Sequence, residues 1–282
     1  MNAATRPLDL VTIAPGIYHD LSNEQYHSGP GVSKSQLDDI AVSPATYIWR
    51  KNAPVDTEKL QALDMGTALH CLLLEPDEFD SRFIKALDFN RRTKDGKAEE
   101  AEFLKNCADT GKTVIEYEDH RKLMLMRDSV MAHPDASRLL ELEGYSESSI
   151  YWTDEETGEL CRCRPDRMLR NYPIILDVKK VDDMGRFERH VEEFRYHVQN
   201  AMYCDGYANQ FGEQPEFYFI AVSSSIECGR YPVRVRPLDT KWAEDGYELY
   251  RRDLNTFHQC RINNDWHDLK PLIRPTRARR AA

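Results

Sequence analysis

Two aspartates and a lysine stand close together in CRPDRMLRNYPIILDVKK, residues 163–180. Side chains alternate across a strand, so an extended PIILDVKK puts Ile175, Asp177 and Lys179 on one face and Ile174, Leu176 and Val178 on the other. The apolar row buries readily, and the acid and the lysine stand side by side opposite it. In the strand before, Arg162, Arg164 and, if the strand continues past Pro165, Asp166 share a face opposite Cys161 and Cys163. Carboxylates delivered to adjacent strand ends with a lysine beside one of them make a workable magnesium site. Magnesium takes oxygen ligands, keeps several waters and is commonly held by one or two carboxylates plus substrate phosphate oxygens. A lysine nearby can orient the attacking water or take its proton while the metal polarises the phosphoryl group. An acid and a lysine two apart on a strand also occur simply as a solvated pair, so these residues alone leave both readings open.

Two further features bear on the choice. Arg195, Gln199 and Tyr203 recur at i, i+4 and i+8 of an expected helix and form one polar stripe. His70 follows Gly66 in GTALH, on a helix whose other face is apolar. Taken singly, a satisfied core histidine and a surface stripe explain them equally well.

The elements that must carry these residues follow from periodicity and punctuation. A helix is expected from Ser33 to Arg50, with Gln36 as capping-box partner, and a second from about Glu58 to Leu74, its stripe including Leu60, Leu63, Leu69, Leu72 and Leu73 and its end set by Pro76. Residues 85–112 are polar and read as a mobile loop with a short helix; a helix from Tyr117 to Ala132 ends near Pro134. Strands are expected at 145–153, 159–169 and 173–180, the first two joined by the turn-like DEETG. A long helix from Met184 to Asn209, strands at 215–223 and 230–236, and a helix from Thr240 to Arg261 complete the order. The expectation is a mixed α/β layer: a central sheet flanked by helices, in one domain spanning 1–282, with a mainly helical part at 1–144, a sheet-and-helix core at 145–262 and a basic tail at 263–282.

Composition narrows the class. Hydrophobic residues make up 41% of the 282, enough for a sizeable core. The first thirty residues lack a basic start and an unbroken apolar run, and no segment approaches the roughly 20 apolar residues that span a bilayer, so a cytoplasmic protein without membrane association is expected. Seven cysteines, odd in number and dispersed, read as reduced thiols, and Cys161 with Cys163 as packing rather than zinc ligands. A formal charge of −10 disfavours nucleic acid globally, but basic residues cluster at Arg50 and Lys51, at Arg91, Arg92, Lys94 and Lys97, at Arg162, Arg164 and Arg167, and at Arg274, Arg277, Arg279 and Arg280.

Taken in order, GTALH, RPD, LDVK and a QxxxY helix (Gln199 to Tyr203) resemble the motif set of the PD-(D/E)xK nucleases, in their RecB-like and lambda-exonuclease-like branch. GPGVSKSQLDDIAVSPATYIWRKNAPVDT, ESSIYWTDEETGELCRCRPD and FRYHVQNAMYCDGY look like the RecE-type exonucleases within it, and the likeness runs from about Ile17 to Trp266. The resemblance implies a restriction-endonuclease-like core and a magnesium-dependent 5′ to 3′ exonuclease on linear double-stranded DNA, with manganese as a substitute, releasing mononucleotides and leaving a 3′ single-stranded tail. It makes His70, Asp166, Asp177 and the Val178 carbonyl metal ligands, Lys179 the catalytic lysine, and Gln199 and Tyr203 the accessory motif. Arg164 would contact phosphate, and Ser33 or Ser35 the 5′ end, although helix capping explains the serines too. Lys180 stands where a threonine or serine is common and would alter the field at Lys179. A ring-shaped homo-oligomer threaded by DNA and a single-strand annealing partner resembling RecT are implied as well; a basic channel would reconcile net acidity with DNA. The region often fused to such nucleases is missing from this sequence, which makes a stand-alone nuclease or an isolated domain the expectation. The rival readings are a structure-specific or restriction-like endonuclease, which would cut closed circles, and a DNA-end-binding scaffold with vestigial nuclease residues.

Overall fold

A computed structural model describes residues 13–55, 65–269 and 271. The first part holds β1 (Gly16–Tyr18), α1 (Asn23–Ser28), α2 (Lys34–Val42), α3 (Pro44–Asn52), α4 (Met65–Leu74), α5 (Pro76–Arg82), β2 (Phe83–Lys85) and α6 (Lys94–Asp109). Then come β3 (Thr113–Ile115), α7 (Tyr117–Ala132), α8 (Pro134–Glu141), β4 (Gly144–Ser146), β5 (Ser149–Thr153), β6 (Leu160–Cys163), β7 (Arg167–Leu169) and β8 (Ile174–Val181). A 3-10 turn (Met184–Arg186), α9 (Phe187–Glu193), α10 (Tyr196–Phe211), β9 (Glu216–Ser223), β10 (Val233–Arg236) and α11 (Thr240–Asn263) follow.

The expected mixed sheet is present, in the order β10-β9-β8-β7-β4, with β8 and β9 parallel and the other pairs antiparallel. Both of its faces are covered. Leu176, Val178, Ile220 and Val222 pack with Leu69 and Leu72 of α4 and with Leu123 and Met126 of α7. Ile175, Phe217, Phe219 and Ala221 pack with Val198 and Met202 of α10 and with Tyr250 and Leu254 of α11. The alternation expected in β8 therefore holds, because burying both faces of a central strand leaves no freedom to slip its register by one residue.

Where α10 crosses α11 the contact is backbone on backbone: a Cβ added at Gly246 would lie 2.2 Å from the His197 carbonyl oxygen. Alanine would gain about 1 kcal/mol of helix propensity, but main chain cannot swing aside as a side chain can. The overpacking term, roughly 1–3 kcal/mol and here at its upper end, wins. Gly246→Ala should lower the urea midpoint clearly; an unchanged or raised midpoint would contradict the close crossing.

Several boundaries differ from expectation, each for a local reason. The helix expected from Ser33 to Arg50 is two helices, because Ser43 accepts from Thr46 N–H at 3.1 Å and Pro44 starts a new helix where its missing N–H costs nothing. Pro76 and Pro134 likewise begin α5 and α8 rather than merely ending their predecessors. Lys94–Asp109 is a 16-residue helix capped by Thr93, where a loop with a short helix is expected. The stripe positions Leu60 and Leu63 and the basic tail residues lie outside the described residues.

The expected strands 145–153 and 159–169 each break in the middle. Residues 144–153 and 160–169 form one antiparallel hairpin that leaves a three-stranded sheet, β1-β5-β6, and enters the five-stranded one. The register is the same on both sides of the break, Ile150 opposite Cys163 and Ser146 opposite Arg167, so the strands bend together. At the corner Glu147 takes a positive φ of 50° and donates its N–H to the Asp166 carbonyl at 3.1 Å. The long helix also breaks: Arg195 is left-handed at φ 55°, between α9 and α10. Arg195 therefore does not continue the stripe of Gln199 and Tyr203; it pairs with Asp253 and, at 3.3 Å, with Asp38.

Candidate active site

Continuing the hairpin register through its corner puts Glu147 directly across from Asp166, so two carboxylates meet where both strands turn. The next residue outward, Pro165, falls opposite Val178 when the pairing of β7 with β8 is extended. Proline has no N–H to give, and the ladder stops there. The polar groups of Val178 are met by side chains instead. Its N–H donates to Asp166 Oδ2 at 2.6 Å, and its carbonyl accepts from His70 Nε2 at 2.7 Å, from α4. A carbonyl can only accept, so Nε2 carries the proton and Nδ1 is the atom turned to Asp166, 3.6 Å from Oδ2.

Asp177, the residue before Val178 in β8, turns to the opposite face of the strand. Its carboxylate is almost fully buried. Gln199 Nε2 donates to Oδ1 at 2.5 Å and Lys179 Nζ lies 2.6 Å from Oδ2. Gln199 reaches it because α10 lies against this face of the sheet. Tyr203, one turn further on, packs its ring against Phe217, and burial keeps its hydroxyl firmly neutral. Lys179 also stands 4.8 Å from the ring centre of Tyr196, a cation–π contact.

The electrostatics are those of crowded charge in a dry place. Burial pushes the Asp177 carboxyl up to about 6, against the pull of Lys179. Burial works against the Lys179 ammonium too, but Asp177 and Asp166 outweigh it and hold the group above the ordinary lysine value. His70 is raised in the same way, its burial overcome by Asp166 and Asp177. Glu147 is pushed up to about 7, first by burial and then by repulsion from Asp166.

The ligand atoms of His70, Glu147 and Asp166 all lie within 4.8 Å of one another. Two close carboxylates joined by one imidazole suit a hard divalent cation, which would offset the burial and the repulsion that raise Glu147. The residues thus fit the metal expected, with three differences from the expected ligand set. Glu147 joins it, and the Val178 carbonyl is engaged by His70. Asp177 belongs to the adjoining Lys179 pair and is coupled electrostatically to Asp166 and His70. Nothing in SESS distinguishes Glu147 as a site residue, since the corner that turns it inward is absent from the alternation.

Glu147 supplies a prediction. Its folded-state pKa lies above the ordinary glutamate value, so the folded form binds the proton better and loses stability relative to the unfolded chain as pH rises between about 4.5 and 7. In EDTA, Glu147→Gln should melt higher than wild type at pH 8, and the gain should vanish by about pH 4, where both carry a neutral side chain. Added magnesium should stabilise wild type more than the variant. A melting difference independent of pH would argue against a strained buried carboxylate.

The remaining candidates sit further out. Arg164 is buried, donating to Ser149 Oγ at 2.9 Å and to the Leu21 carbonyl at 2.9 Å, and stacked 4.3 Å over Tyr26. Arg162 clamps the carbonyls of Tyr26, His27 and Gly29. These two arginines hold the 21–30 segment on β6 rather than forming an open basic face. Arg164 nevertheless lines a cavity of about 590 Å³ with His70, Glu147, Thr67 and Arg82. Ser33 caps α2, its N–H held by Gln36 Oε1 at 2.8 Å and its Oγ 3.1 Å from that of Ser35. Ser35 faces a separate cavity of about 670 Å³ with His27, Arg50, Lys51 and Arg261, which shares no residue with the carboxylate cluster. Lys180 points away from Lys179 and bonds Asp182 at 3.0 Å, so the unusual second lysine spends its charge locally. The two cysteines of β6 are buried, and burial raises both thiols, as packing residues require.

Comparison with known proteins bears on the same core. The family model described as “PDDEXK-like domain of unknown function (DUF3799)” matches residues 33–269. Among solved structures, the crystal structure of a “Putative exonuclease” from Eubacterium rectale is similar in fold, with a TM-score of 0.57 at 14% identity over 90% of this chain and 96% of that one. No curated protein matches the sequence significantly. Among the described residues no helix is long and apolar enough to cross a membrane.

Proposed function

This chain belongs to the family of PDDEXK-like domains, and from that premise we propose that it is a magnesium-dependent 5′ to 3′ exonuclease acting on linear double-stranded DNA, of the RecE type. The observation that carries the reading is the convergence of His70, Glu147 and Asp166 beside the Asp177–Lys179 pair at the point where Pro165 opens the sheet. A divalent cation bound by His70, Glu147 and Asp166, with Asp177 adjoining, supplies polarisation of the phosphoryl group and activation of water. Manganese is a substitute in this reading.

The protein's own residues do the rest. Gln199 fixes the Asp177 carboxylate, which in turn fixes the Lys179 ammonium. Because two carboxylates keep that lysine protonated, its part is to orient the attacking water and to offset charge on the phosphate, not to start as a base. His70 donates to the Val178 carbonyl, which keeps Nδ1 aimed at the cluster. The 5′ terminal phosphate is assigned to the Ser35, Arg50 and Lys51 cavity, and the product is a mononucleotide and a 3′ tail. A ring-shaped oligomer and an annealing partner resembling RecT belong to the same proposal.

Duplexes labelled at the 5′ or the 3′ end, incubated with magnesium or with EDTA, test it. The expected result is early release of 5′ label as mononucleotide, sparing of closed circles and no reaction in EDTA. Early loss of 3′ label overturns the polarity, nicking of closed circles favours an endonuclease, and binding of ends without digestion leaves a scaffold.

A further inference from the structure

The break between α9 and α10 places an aromatic ring in solvent at the edge of the site. Phe194 is 47% exposed. Its backbone is nevertheless firmly held. Lys34 Nζ donates to its carbonyl at 2.7 Å while pairing with Asp38, also at 2.7 Å. The following residue, Arg195, stays in its left-handed conformation through ion pairs to Asp38 on α2 and Asp253 on α11. Two helices, α2 and α11, thus converge on one turn that carries an exposed ring. A left-handed non-glycine residue costs energy and persists only where its surroundings enforce it.

The ring leads straight to the reacting groups. Phe194 lies 5.8 Å from Tyr196, centre to centre, and Tyr196 lies 4.8 Å from Lys179 Nζ. His190 meets Phe194 edge-on at 5.1 Å on its other side. The two distances, 5.8 Å and 4.8 Å, set an upper bound of about 10.6 Å between the Phe194 ring centre and Lys179 Nζ. An enzyme that takes nucleotides from a duplex end must hold the end open, and an aromatic face binds any unpaired base regardless of sequence.

We propose that Phe194 is a base-stacking residue that receives an unpaired base at the duplex end and so sets which phosphate reaches Lys179. This rests on the nuclease reading above and adds to it a residue that contacts the base rather than the phosphate. Stacking is made before the chemical step and kept through it, so its loss falls in KM rather than in kcat.

The test uses a linear duplex with 2-aminopurine at its 5′ terminal position, titrated with protein in EDTA and then digested in magnesium. Wild-type protein should change the fluorescence of the terminal base on binding. Phe194→Ala should give a much smaller change and a KM raised about tenfold, within the range that base–aromatic stacking provides. Phe194→Trp should restore both, which a merely structural ring would not do, since a larger ring in a structural slot would lower kcat. If Phe194→Ala changes the fluorescence and digests the duplex as wild type does, the stacking role is wrong. If wild-type protein neither binds nor digests the duplex, the nuclease reading fails and this inference falls with it.

Discussion

Replacing Asp177 by asparagine is expected to abolish turnover of linear duplex DNA in magnesium, by on the order of 10³-fold or more, while the protein stays folded. Asparagine keeps the shape and can still accept from Gln199 through its oxygen, so the packing between α10 and β8 survives. What disappears is a buried negative charge beside the carboxylate cluster. Several kcal/mol of charge stabilisation at the phosphoryl group depend on such a centre, and each 1.36 kcal/mol is tenfold in rate. Circular dichroism and thermal melting check folding, and release of labelled nucleotide checks rate. Digestion at the wild-type rate would remove Asp177, and with it the LDVK segment, from the chemistry.

Lys179→Met should cost on the order of 10²- to 10³-fold in kcat, the range for removing one preorganised charge-stabilising donor. Methionine keeps a flexible, unbranched side chain of similar bulk but loses the ammonium, and with it the cation–π contact to Tyr196. A second effect separates this from simple misfolding. Lys179 holds the Asp177 pKa down against burial, so without it the value climbs above about 6. The acidic limb of the residual rate profile should therefore move to higher pH. A profile displaced to lower pH, or a loss below tenfold, would show that the ion pair is structural only.

The two variants probe parts of the site that differ in how they could be read beforehand. Asp177 and Lys179 were legible in PIILDVKK because alternation is local: a strand with both faces buried must send them to one side. His70 and Gln199 were legible only as members of an ordered motif set, since nothing in a helical stripe says which strand it will face. Glu147 carries no such signal, and Arg195 departs from the helical stripe expected for it. Both lie at positive φ, one where a hairpin passes from sheet to sheet and one where a helix restarts. Neither position carries glycine or asparagine, the usual signs of such a conformation.

The same division runs through the fold. The two-residue and 3.6-residue periods, with their prolines and caps, were enough to predict a mixed sheet between helices. They could not show that 144–153 and 160–169 bend as one hairpin, because each strand keeps its alternation up to the corner. The sequence by itself determined that an acid and a lysine would share a face of a buried strand. Only the tertiary structure decided which carboxylate would stand against Asp166 and which ring would stand beside Lys179. Those placements arise from elements distant in the chain that force single residues into left-handed turns, and periodicity, being a property of neighbours, carries no record of that force.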